Sequence, residues 1–416
     1  DSAYLPNDPS INGGQWYLRN MTLGGADVRA VGGWNQTLGD SNVVVAVIDS
    51  GVDWHHPDLG GDHPDKVNGA IWTNWEEYYG DPGVDDDNNG KIDDIRGWDF
   101  VNVGGFSVWP GEDGSVQDND PMDFGGHGTQ VAGCIAPITN NGVGIAATAP
   151  GCKIMALRAG YLKSDGDATL RTDFIANGIV YAAANGANII NCSWTSSSLI
   201  SSAVSIAQGE GVLLVTSAGN EDSNSNADTW LSTVPNVLCV AATGSSDVKT
   251  SFSNYGSWVD VSAPGVGIYS TAYLYDTDTS TYQVTQGTSF SSPIVAGVAA
   301  LIWSANPGWT YTQVFDHVVA TCDDIDAVNP DHAGQLGAGR VNLLKALGDD
   351  MHRYPSEFPT LYDAMNSSAA GDTVGIEGGE IILGPLDIPG NAIMVYGGYD
   401  ASYTTRDPQG NPVIVQ

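Results

Sequence analysis

The chain alternates between short runs of apolar, mostly β-branched residues and longer segments whose apolar residues recur at helical spacing. The first run, Val-Val-Val-Ala-Val-Ile at 43–48, is apolar at every position, as expected of a strand buried on both faces of a parallel sheet. Further strands are predicted at 189–192 and 212–216, and helices at 173–185 and 199–208. Strands that alternate with amphipathic helices are typical of right-handed β–α–β crossovers. The pattern therefore predicts an α/β domain, with a parallel sheet sandwiched between helices on both faces.

Polar residues follow the predicted strands. Asp49 ends the first strand, and Ser193 and Asn220 come just after two later ones. The carboxyl ends of parallel strands meet at one edge of a sheet, where such folds carry their functional residues. A further helix is predicted from about residue 289 to 303, so Ser289 stands at the start of a helix.

The pattern changes near Leu347, after which short β-like pieces alternate with Gly-rich turns. We therefore predict a first domain, 1–348, that includes an amino-terminal segment 1–30, and a β-rich extension, 349–416. Residues 349–358 are interpreted as a linker. The β-like pieces are interpreted as the start of a parallel β-helix, and they lie at 373–376, 380–383 and 393–396.

Charge and composition narrow the function. The formal net charge is −35, from 14 Lys+Arg against 49 Asp+Glu, so binding to nucleic acid is not expected. The sequence contains no run of about 18 apolar residues, so a transmembrane helix is not expected. The first residues, Asp-Ser-Ala-Tyr, do not resemble a secretory signal, so a signal is either lacking or already removed.

Cysteine and histidine spacing favours no zinc or redox site. The five cysteines are odd in number and show no C-x-x-C spacing. Cys134, Cys192 and Cys239 lie in apolar runs and are expected to be buried thiols. One disulfide between two of the five cysteines remains an alternative. The histidines at 55, 56 and 63 lack the H-E-x-x-H spacing of a zinc site and are expected to be turn or surface residues.

Three pieces of sequence carry candidate chemistry. His127 lies among glycines at 125–129, which leave a base accessible. Ser289 lies where backbone N–H groups at a helix start could face an oxyanion. Asp49 could orient an imidazole and stabilise its charged form. Each residue alone is common as a turn former, loop residue or helix cap, but the order Asp, His, Ser is much more specific.

The blocks Asp-Ser-Gly-Val at 49–52, Gly-His-Gly-Thr-Gln-Val-Ala-Gly at 126–133 and Gly-Thr-Ser-Phe-Ser-Ser-Pro at 287–293 resemble the signature blocks of subtilisin-like serine proteases. The block Ser-Ala-Gly-Asn at 217–220 resembles the one whose Asn completes the oxyanion hole. The resemblance implies a secreted serine endopeptidase in which Asp49, His127 and Ser289 form the catalytic triad, assisted by Asn220. It also implies protein or peptide substrates, a propeptide removed on maturation, and a monomer.

The sequence departs from the family pattern at three places. Ser50 stands where Thr is usual, Gln130 replaces a common second His, and Thr-Ser at 195–196 replaces glycines beside the expected substrate cleft. A large apolar P1 residue is expected. The residues predicted to contact substrate are Ser193, Trp194, Thr195, Gly219 and Glu221.

Residues 85–93 form an acidic loop with the sequence pattern D-x-D-x-N-G-x-x-D. Oxygen ligands at alternate positions with a Gly at the turn suit Ca²⁺, and closely spaced carboxylates repel one another without a cation. A solvated acidic loop is the alternative. Position 12 of an EF-hand would be Arg96, so the last acids of the loop, or the upstream Asn74 and Glu77, must complete the shell. The candidate residues are Asp85, Asp87, Asn89, Lys91, Asp93 and Asp94.

A second calcium site is implied by resemblance to thermitase-like members of the family. There the segments that correspond to 7–9, 56–59 and 138–145 converge on one ion. The matching side chains are Asp8, Asp58 and Asn141, with the carbonyls of Ile138, Val143 and Ile145.

Two other classes of function stay open on the sequence. One is a catalytically silent binding protein built on this fold, which an intact triad disfavours. The other is a carbohydrate-active or adhesive protein that acts through the β-rich extension, which is short for a solenoid of its own.

Overall fold

The structure, a computed structural model, describes residues 4–22, 26–61, 63–104 and 108–348, together with the backbone of three strands beyond them. Its strands in chain order are β1 Val44–Asp49, β2 Gly97–Asp99, β3 Lys153–Arg158, β4 Gly160–Leu162, β5 Ala168–Leu170, β6 Ile189–Cys192, β7 Leu213–Ser217, β8 Val237–Thr243, β9 Val261–Pro264, β10 Val266–Leu274, β11 Thr279–Gln286, β12 Met351–Tyr354, β13 Thr373–Glu377 and β14 Met394–Tyr399. Its α-helices are α1 Ala30–Gly33, α2 Trp75–Tyr79, α3 His127–Ile135, α4 Thr172–Ala184, α5 Ser201–Gly209, α6 Thr288–Ala305, α7 Tyr311–Ala320 and α8 Leu343–Ala346.

Seven strands form one parallel sheet in the order β2-β3-β1-β6-β7-β8-β9. Every residue of β1, β6, β7, β8 and β9 is buried, because helices cover both faces of the sheet. The prediction of an α/β fold with a parallel sheet is confirmed. The strands predicted at 43–48 and 212–216 each begin one residue later than predicted.

Alternate residues of each strand enter two different cores. Val45 and Val47 of β1 pack in the core that contains α3 and α6, whereas Ala46 and Ile48 pack in the core that contains α4 and α5. Helix α6 is long and apolar enough to cross a membrane, with a mean hydropathy of 1.4, but 83% of it is buried inside the protein. It is the central helix of the first core. All five cysteines are free and buried, so the disulfide left open by the sequence does not form.

Two antiparallel hairpins, β4–β5 and β10–β11, were not predicted. Strand β10 lies against α3, where the Thr271 hydroxyl donates to the Thr129 carbonyl at 2.7 Å. Its partner β11 is rich in Thr, Ser and Gln and is largely exposed. A polar strand of this kind lacks the apolar alternation by which strands are recognised in a sequence.

Beyond residue 348 the described strands β12, β13 and β14 form a three-stranded parallel sheet. The pieces predicted at 373–376 and 393–396 overlap β13 and β14, whereas the piece at 380–383 lies outside the described residues. The linker interpretation of 349–358 is wrong for residues 351–354, because they pair with β13. The division into two domains at residue 348 stays a prediction.

Candidate active site

Asp49 and His127 lie side by side at the carboxyl end of β1. Asp49 is 1% exposed, and its Oδ1 lies 2.8 Å from Nδ1 of His127, the first residue of α3. The Ser50 amide donates to the same oxygen at 2.7 Å. Helix α3 can approach the strand this closely because residue 128 is glycine: a Cβ on Gly128 would lie 2.0 Å from the Gly51 carbonyl oxygen. The carboxylate therefore fixes the orientation of the imidazole.

Ser289 is the second residue of α6 and lies on the same edge of the sheet. Its hydroxyl donates to the Ser193 carbonyl at 3.4 Å, and the Ser193 hydroxyl donates to the Ser289 carbonyl at 2.7 Å. The neighbouring Phe290 ring lies 5.5 Å from the His127 ring, centroid to centroid. Among the described residues, Ser289 Oγ makes no hydrogen bond to His127 Nε2. Catalytic hydrogen bonds are often long without substrate and tighten only in the complex.

Asn220 is held by the residue that precedes the serine. Its Oδ1 accepts from the Thr288 amide at 2.9 Å and from the Thr288 hydroxyl at 3.0 Å. The Gly219 amide in turn donates to the Thr288 hydroxyl oxygen at 3.1 Å. Because the carboxamide oxygen is occupied in this way, Nδ2 is left to serve a ligand. Thr288 was not predicted from the sequence as a functional residue.

A second carboxylate, Asp123, lies behind His127 and was also missed. It is 2% exposed and accepts hydrogen bonds from the Ser50 hydroxyl (2.8 Å), the Gly126 amide (2.8 Å), and the amide and hydroxyl of Thr129 (2.9 and 2.6 Å). The Ser50 hydroxyl also accepts from the Gly128 amide at 2.9 Å. Asp123 thus connects the loop after β1 to the first turn of α3. Its only signal in the sequence is an acid four residues before the histidine.

Two opposing effects set the pKa of His127. Burial of the imidazole lowers it, but the charge of Asp49, the hydrogen bond to Asp49 and the charge of Asp123 together raise it above the ordinary value. Burial likewise raises the pKa of Asp123, although the bonds from Thr129, Gly126 and Ser50 lower it. The two carboxylates therefore favour the protonated imidazolium.

The predicted substrate-binding residues fall into two groups around Ser289. Trp194 and Thr195 line a cavity of about 280 Å³, and the Trp194 indole donates to the Ile48 carbonyl at 2.8 Å. Gly219 and Glu221 flank Asn220, whose amide donates to Glu221 Oε2 at 2.9 Å. Ser193 belongs to neither group and is hydrogen-bonded to Ser289. Ser193 is thus the predicted residue that bonds directly to the candidate nucleophile, and the binding role of the other four stays a prediction.

The model of the Subtilase family matches residues 40–339. The chain belongs to the subtilase family. This subtilase is 35% identical over 347 residues to thermitase from Thermoactinomyces vulgaris, covering 83% of the chain and 99% of thermitase. It is 34% identical over 335 residues to subtilisin E from Bacillus subtilis (strain 168), covering 79% of the chain and 72% of subtilisin E. These similarities make it a serine endopeptidase. A solved protease from Pseudoalteromonas arctica PAMC 21717 aligns with a TM-score of 0.65 at 28% identity, covering 83% of this chain and 99% of that one.

The acidic loop of this subtilase brings carboxylates together. Oxygens of Glu77, Asp85 and Asp87 all lie within 4.8 Å of one another. Glu77 is only 3% exposed, and Asn89 Nδ2 donates to Asp87 at 2.9 Å. Several oxygen ligands in a short loop suit a hard cation such as Ca²⁺. The residues present therefore fit calcium, with Glu77 in the shell.

Three other residues predicted for this loop lie outside that group of three carboxylates. Asp93 has a left-handed backbone (φ 55°), and its carboxylate accepts from the Gly83 amide at 2.9 Å. Asp94 is buried and accepts from the Tyr181 hydroxyl at 2.5 Å, from Asn89 Nδ2 at 2.9 Å and from Asn74 Nδ2 at 3.0 Å. The Lys91 amine lies 4.5 Å from the centre of the Trp98 ring. Glu77, one of the alternatives for completing the shell, lies in the converging group, and the roles of Asp93, Asp94 and Lys91 as ligands stay predictions.

The second predicted calcium cluster also comes together. Asp8 and Asp58 are both 0% exposed. Asp58 accepts from Asn141 Nδ2 at 2.8 Å and from the Ile145 amide at 3.0 Å, whereas Asp8 accepts from the Asn140 amide at 2.7 Å. Two further amides bond within the cluster: Ile138 N donates to the Asp58 carbonyl at 2.7 Å, and Val143 N donates to Asn141 Oδ1 at 2.8 Å. The carbonyls of Ile138, Val143 and Ile145 stay predicted ligands. Two buried carboxylates without a cationic side chain among these contacts fit a cation.

Proposed function

We propose that this subtilase cleaves internal peptide bonds with Asp49, His127 and Ser289 as its triad, and that Asn220 completes the oxyanion hole. The observation that carries the proposal is the 2.8 Å contact between Asp49 Oδ1 and His127 Nδ1 at the edge of the sheet where Ser289 begins α6. The held carboxamide of Asn220 supports it, because an oxyanion hole needs donors fixed before charge develops.

In the proposed reaction Ser289 Oγ attacks the peptide carbonyl carbon, and His127 Nε2 takes the hydroxyl proton. Asp49 keeps the ring in the required tautomer and stabilises the imidazolium. Asn220 Nδ2 and the Ser289 N–H donate to the oxyanion. The C–N bond then breaks, and His127 returns its proton to the leaving amine. Water, deprotonated by His127, attacks the acyl-enzyme and releases the acid and Ser289.

We also propose that calcium stabilises the enzyme at the acidic loop and at the cluster of Asp8 and Asp58. The bound ion would neutralise crowded carboxylates and would take no part in the bond-breaking steps. A secreted, monomeric enzyme matured by loss of a propeptide fits the family. Large apolar P1 residues are the proposed preference, with Trp194 beside the cavity that would receive substrate.

The test is casein or peptide hydrolysis by the wild type and two variants. Ser289→Ala should abolish turnover and labelling by an organophosphonate while the melting curve is unchanged. Asn220→Ala should lower kcat by about 100–1,000-fold with KM little changed, a range measured on subtilisin itself. Turnover by Ser289→Ala within tenfold of wild type, or an Asn220→Ala effect on KM alone, would remove the residue concerned from its role.

A further inference from the structure

A cavity of about 430 Å³ opens at the opposite end of the sheet from Asp49. Val44 and Lys153, the first residues of β1 and β3, line it, whereas Asp49 is the last residue of β1. Since a strand rises about 3.3 Å per residue, the cavity lies roughly 15 Å from the triad carboxylate. Its volume falls within the range of about 300–1,000 Å³ that is usual for ligand sites.

Aromatic rings form one wall of the cavity. Trp72 and Trp75 line it, and Trp75 is 43% exposed. The Trp75 ring is held by neighbours: it stacks on Tyr79 with centroids 5.6 Å apart, and Tyr78 meets it edge-on at 5.4 Å. An exposed group of aromatic rings on a soluble protein often marks a binding site. These rings are positioned on the surface before any ligand arrives.

Polar side chains line the same space. Thr73 lines the cavity and is only 8% exposed, yet in the described part of the chain its hydroxyl makes no hydrogen bond. The side chains of Ser41 and Asn68, which also line the cavity, likewise make none among the described residues. Hydroxyl and carboxamide groups can both donate and accept. They match a ligand that carries groups of both kinds.

The charges around the cavity favour a neutral ligand. Among the described residues that line it, Lys153 is the single charged side chain, and its amine already donates to the Gly69 carbonyl. The net charge of −35 repels anions. A sugar ring satisfies all these conditions, because its C–H faces stack on aromatic rings and its hydroxyls donate and accept at its edges.

We propose that this cavity binds a neutral saccharide, and that Trp75 stacks on a sugar ring while Thr73 and Asn68 bond its hydroxyls. The saccharide can be a free polysaccharide chain or a neutral glycan attached to a protein. In either case the protease would be held on a glycan-bearing material while the distant triad stays open to peptide.

The full chain, inhibited with an organophosphonate, is titrated with neutral oligosaccharides of glucose, xylose, mannose and N-acetylglucosamine, by calorimetry and tryptophan fluorescence. We expect saturable binding to at least one of them. Trp75→Ala should weaken it at least tenfold and Thr73→Val at least threefold. Thr243→Val is the matched control, since it makes the same substitution at a threonine whose buried hydroxyl has no partner among the described residues and which does not line the cavity, and it should change nothing. Uninhibited samples of all three variants should cleave a small peptide as wild type does.

Cleavage of one glycoprotein before and after deglycosylation distinguishes the two sources. A rise in KM caused by Thr73→Val on the glycosylated form alone indicates an attached glycan, and no such rise indicates a free polysaccharide. Absence of saturable binding by every saccharide would overturn the proposal. So would unchanged affinity in both cavity variants, or saturable binding of an unglycosylated peptide that Thr73→Val abolishes. None of these outcomes bears on the triad, which the peptide assay measures separately.

Discussion

Asp123 controls the position of His127 although it does not touch the imidazole. Its carboxylate accepts from Ser50, which follows Asp49, and from Gly126 and Thr129 on either side of the histidine. The relative placement of Asp49 and His127 therefore depends on one buried carboxylate. Its charge also contributes to raising the pKa of His127, so it is a positioning residue with an electrostatic effect.

We expect Asp123→Asn to lower kcat and to move the acid limb of the kcat/KM profile to lower pH. The proposed mechanism needs neutral His127 as the base, so activity should fall as the pH drops through the pKa of that residue in the free enzyme. Removal of the Asp123 charge destabilises the imidazolium, lowers this pKa and shifts the limb in the acid direction. A pH–rate profile measures the shift.

The control for this variant is Asp27→Asn, which alters a buried carboxylate that accepts backbone amides of Asn20 and Arg29. It should leave the limb where it is in wild type. A fall in activity in Asp123→Asn with an unmoved limb would mean that Asp123 acts through structure alone.

The sequence predicted Asp49, His127, Ser289 and Asn220 because each lies in a block that resembles its counterpart in the family. Asp123 lies in no such block, and Thr288 lies in the block of Ser289 but nothing in that block indicates its bond to Asn220. Their importance lies in hydrogen bonds between segments that are distant in the chain, or in a contact made by a neighbour of the nucleophile. Spacing along a chain does not contain this information.

Among the elements, the buried ones were predictable and the polar ones were not. Strands β1 and β7 lie within one residue of their predicted bounds, and β6 matches its own, because burial on both faces requires an unbroken apolar run. Strand β11 is exposed and polar, and its pairing with β10 depends on the turn and on packing against α3. Such a hairpin is specified by tertiary contacts rather than by periodicity.

Helix α4 connects the acidic loop to the body of the enzyme. The Tyr181 hydroxyl donates to buried Asp94, and Asn89 Nδ2 lies 3.3 Å from Asn185 Oδ1, just after the helix ends. Burial raises the pKa of Asp94, and the hydrogen bond from Tyr181 lowers it. The helix thus supplies a hydrogen-bond donor to a carboxylate that is buried away from water.

Tyr181→Phe should therefore destabilise the protein by about 1–2 kcal/mol, because the Asp94 carboxylate loses the Tyr181 donor but keeps those of Asn89 and Asn74. At roughly 2–4 °C per kcal/mol the melting midpoint falls by several degrees. Tyr269→Phe is the control, since the Tyr269 hydroxyl makes no hydrogen bond within the described residues. Equal midpoints for the two variants would contradict a stabilising role for the bond to Asp94.

At the scale of the whole molecule, the excess of acids is partly concentrated in two clusters. Glu77, Asp85 and Asp87 form one, and Asp8 and Asp58 form the other. The second cluster joins the amino-terminal segment to the loop after α3, because Asp8 accepts from the Asn140 amide. A cation bound there would anchor that segment to the domain.

Removal of calcium should lower the melting midpoint before it lowers the intrinsic turnover, because neither cluster contains a candidate catalytic residue. At a free Ca²⁺ concentration of 100 times Kd, each site stabilises by about 2.7 kcal/mol, which corresponds to several degrees at roughly 2–4 °C per kcal/mol.

Melting curves are compared in excess Ca²⁺ and in EDTA for the wild type, Asp87→Asn and Asp58→Asn. Each variant should lose part of the calcium-dependent increment, and the double variant nearly all of it. Since loss of an ion shared with Asp8 would weaken the anchoring of the amino-terminal segment, Asp58→Asn should also be digested from that end sooner than Asp87→Asn. Superimposable wild-type curves, with no bound calcium by elemental analysis, would show that the carboxylates are stable without an ion.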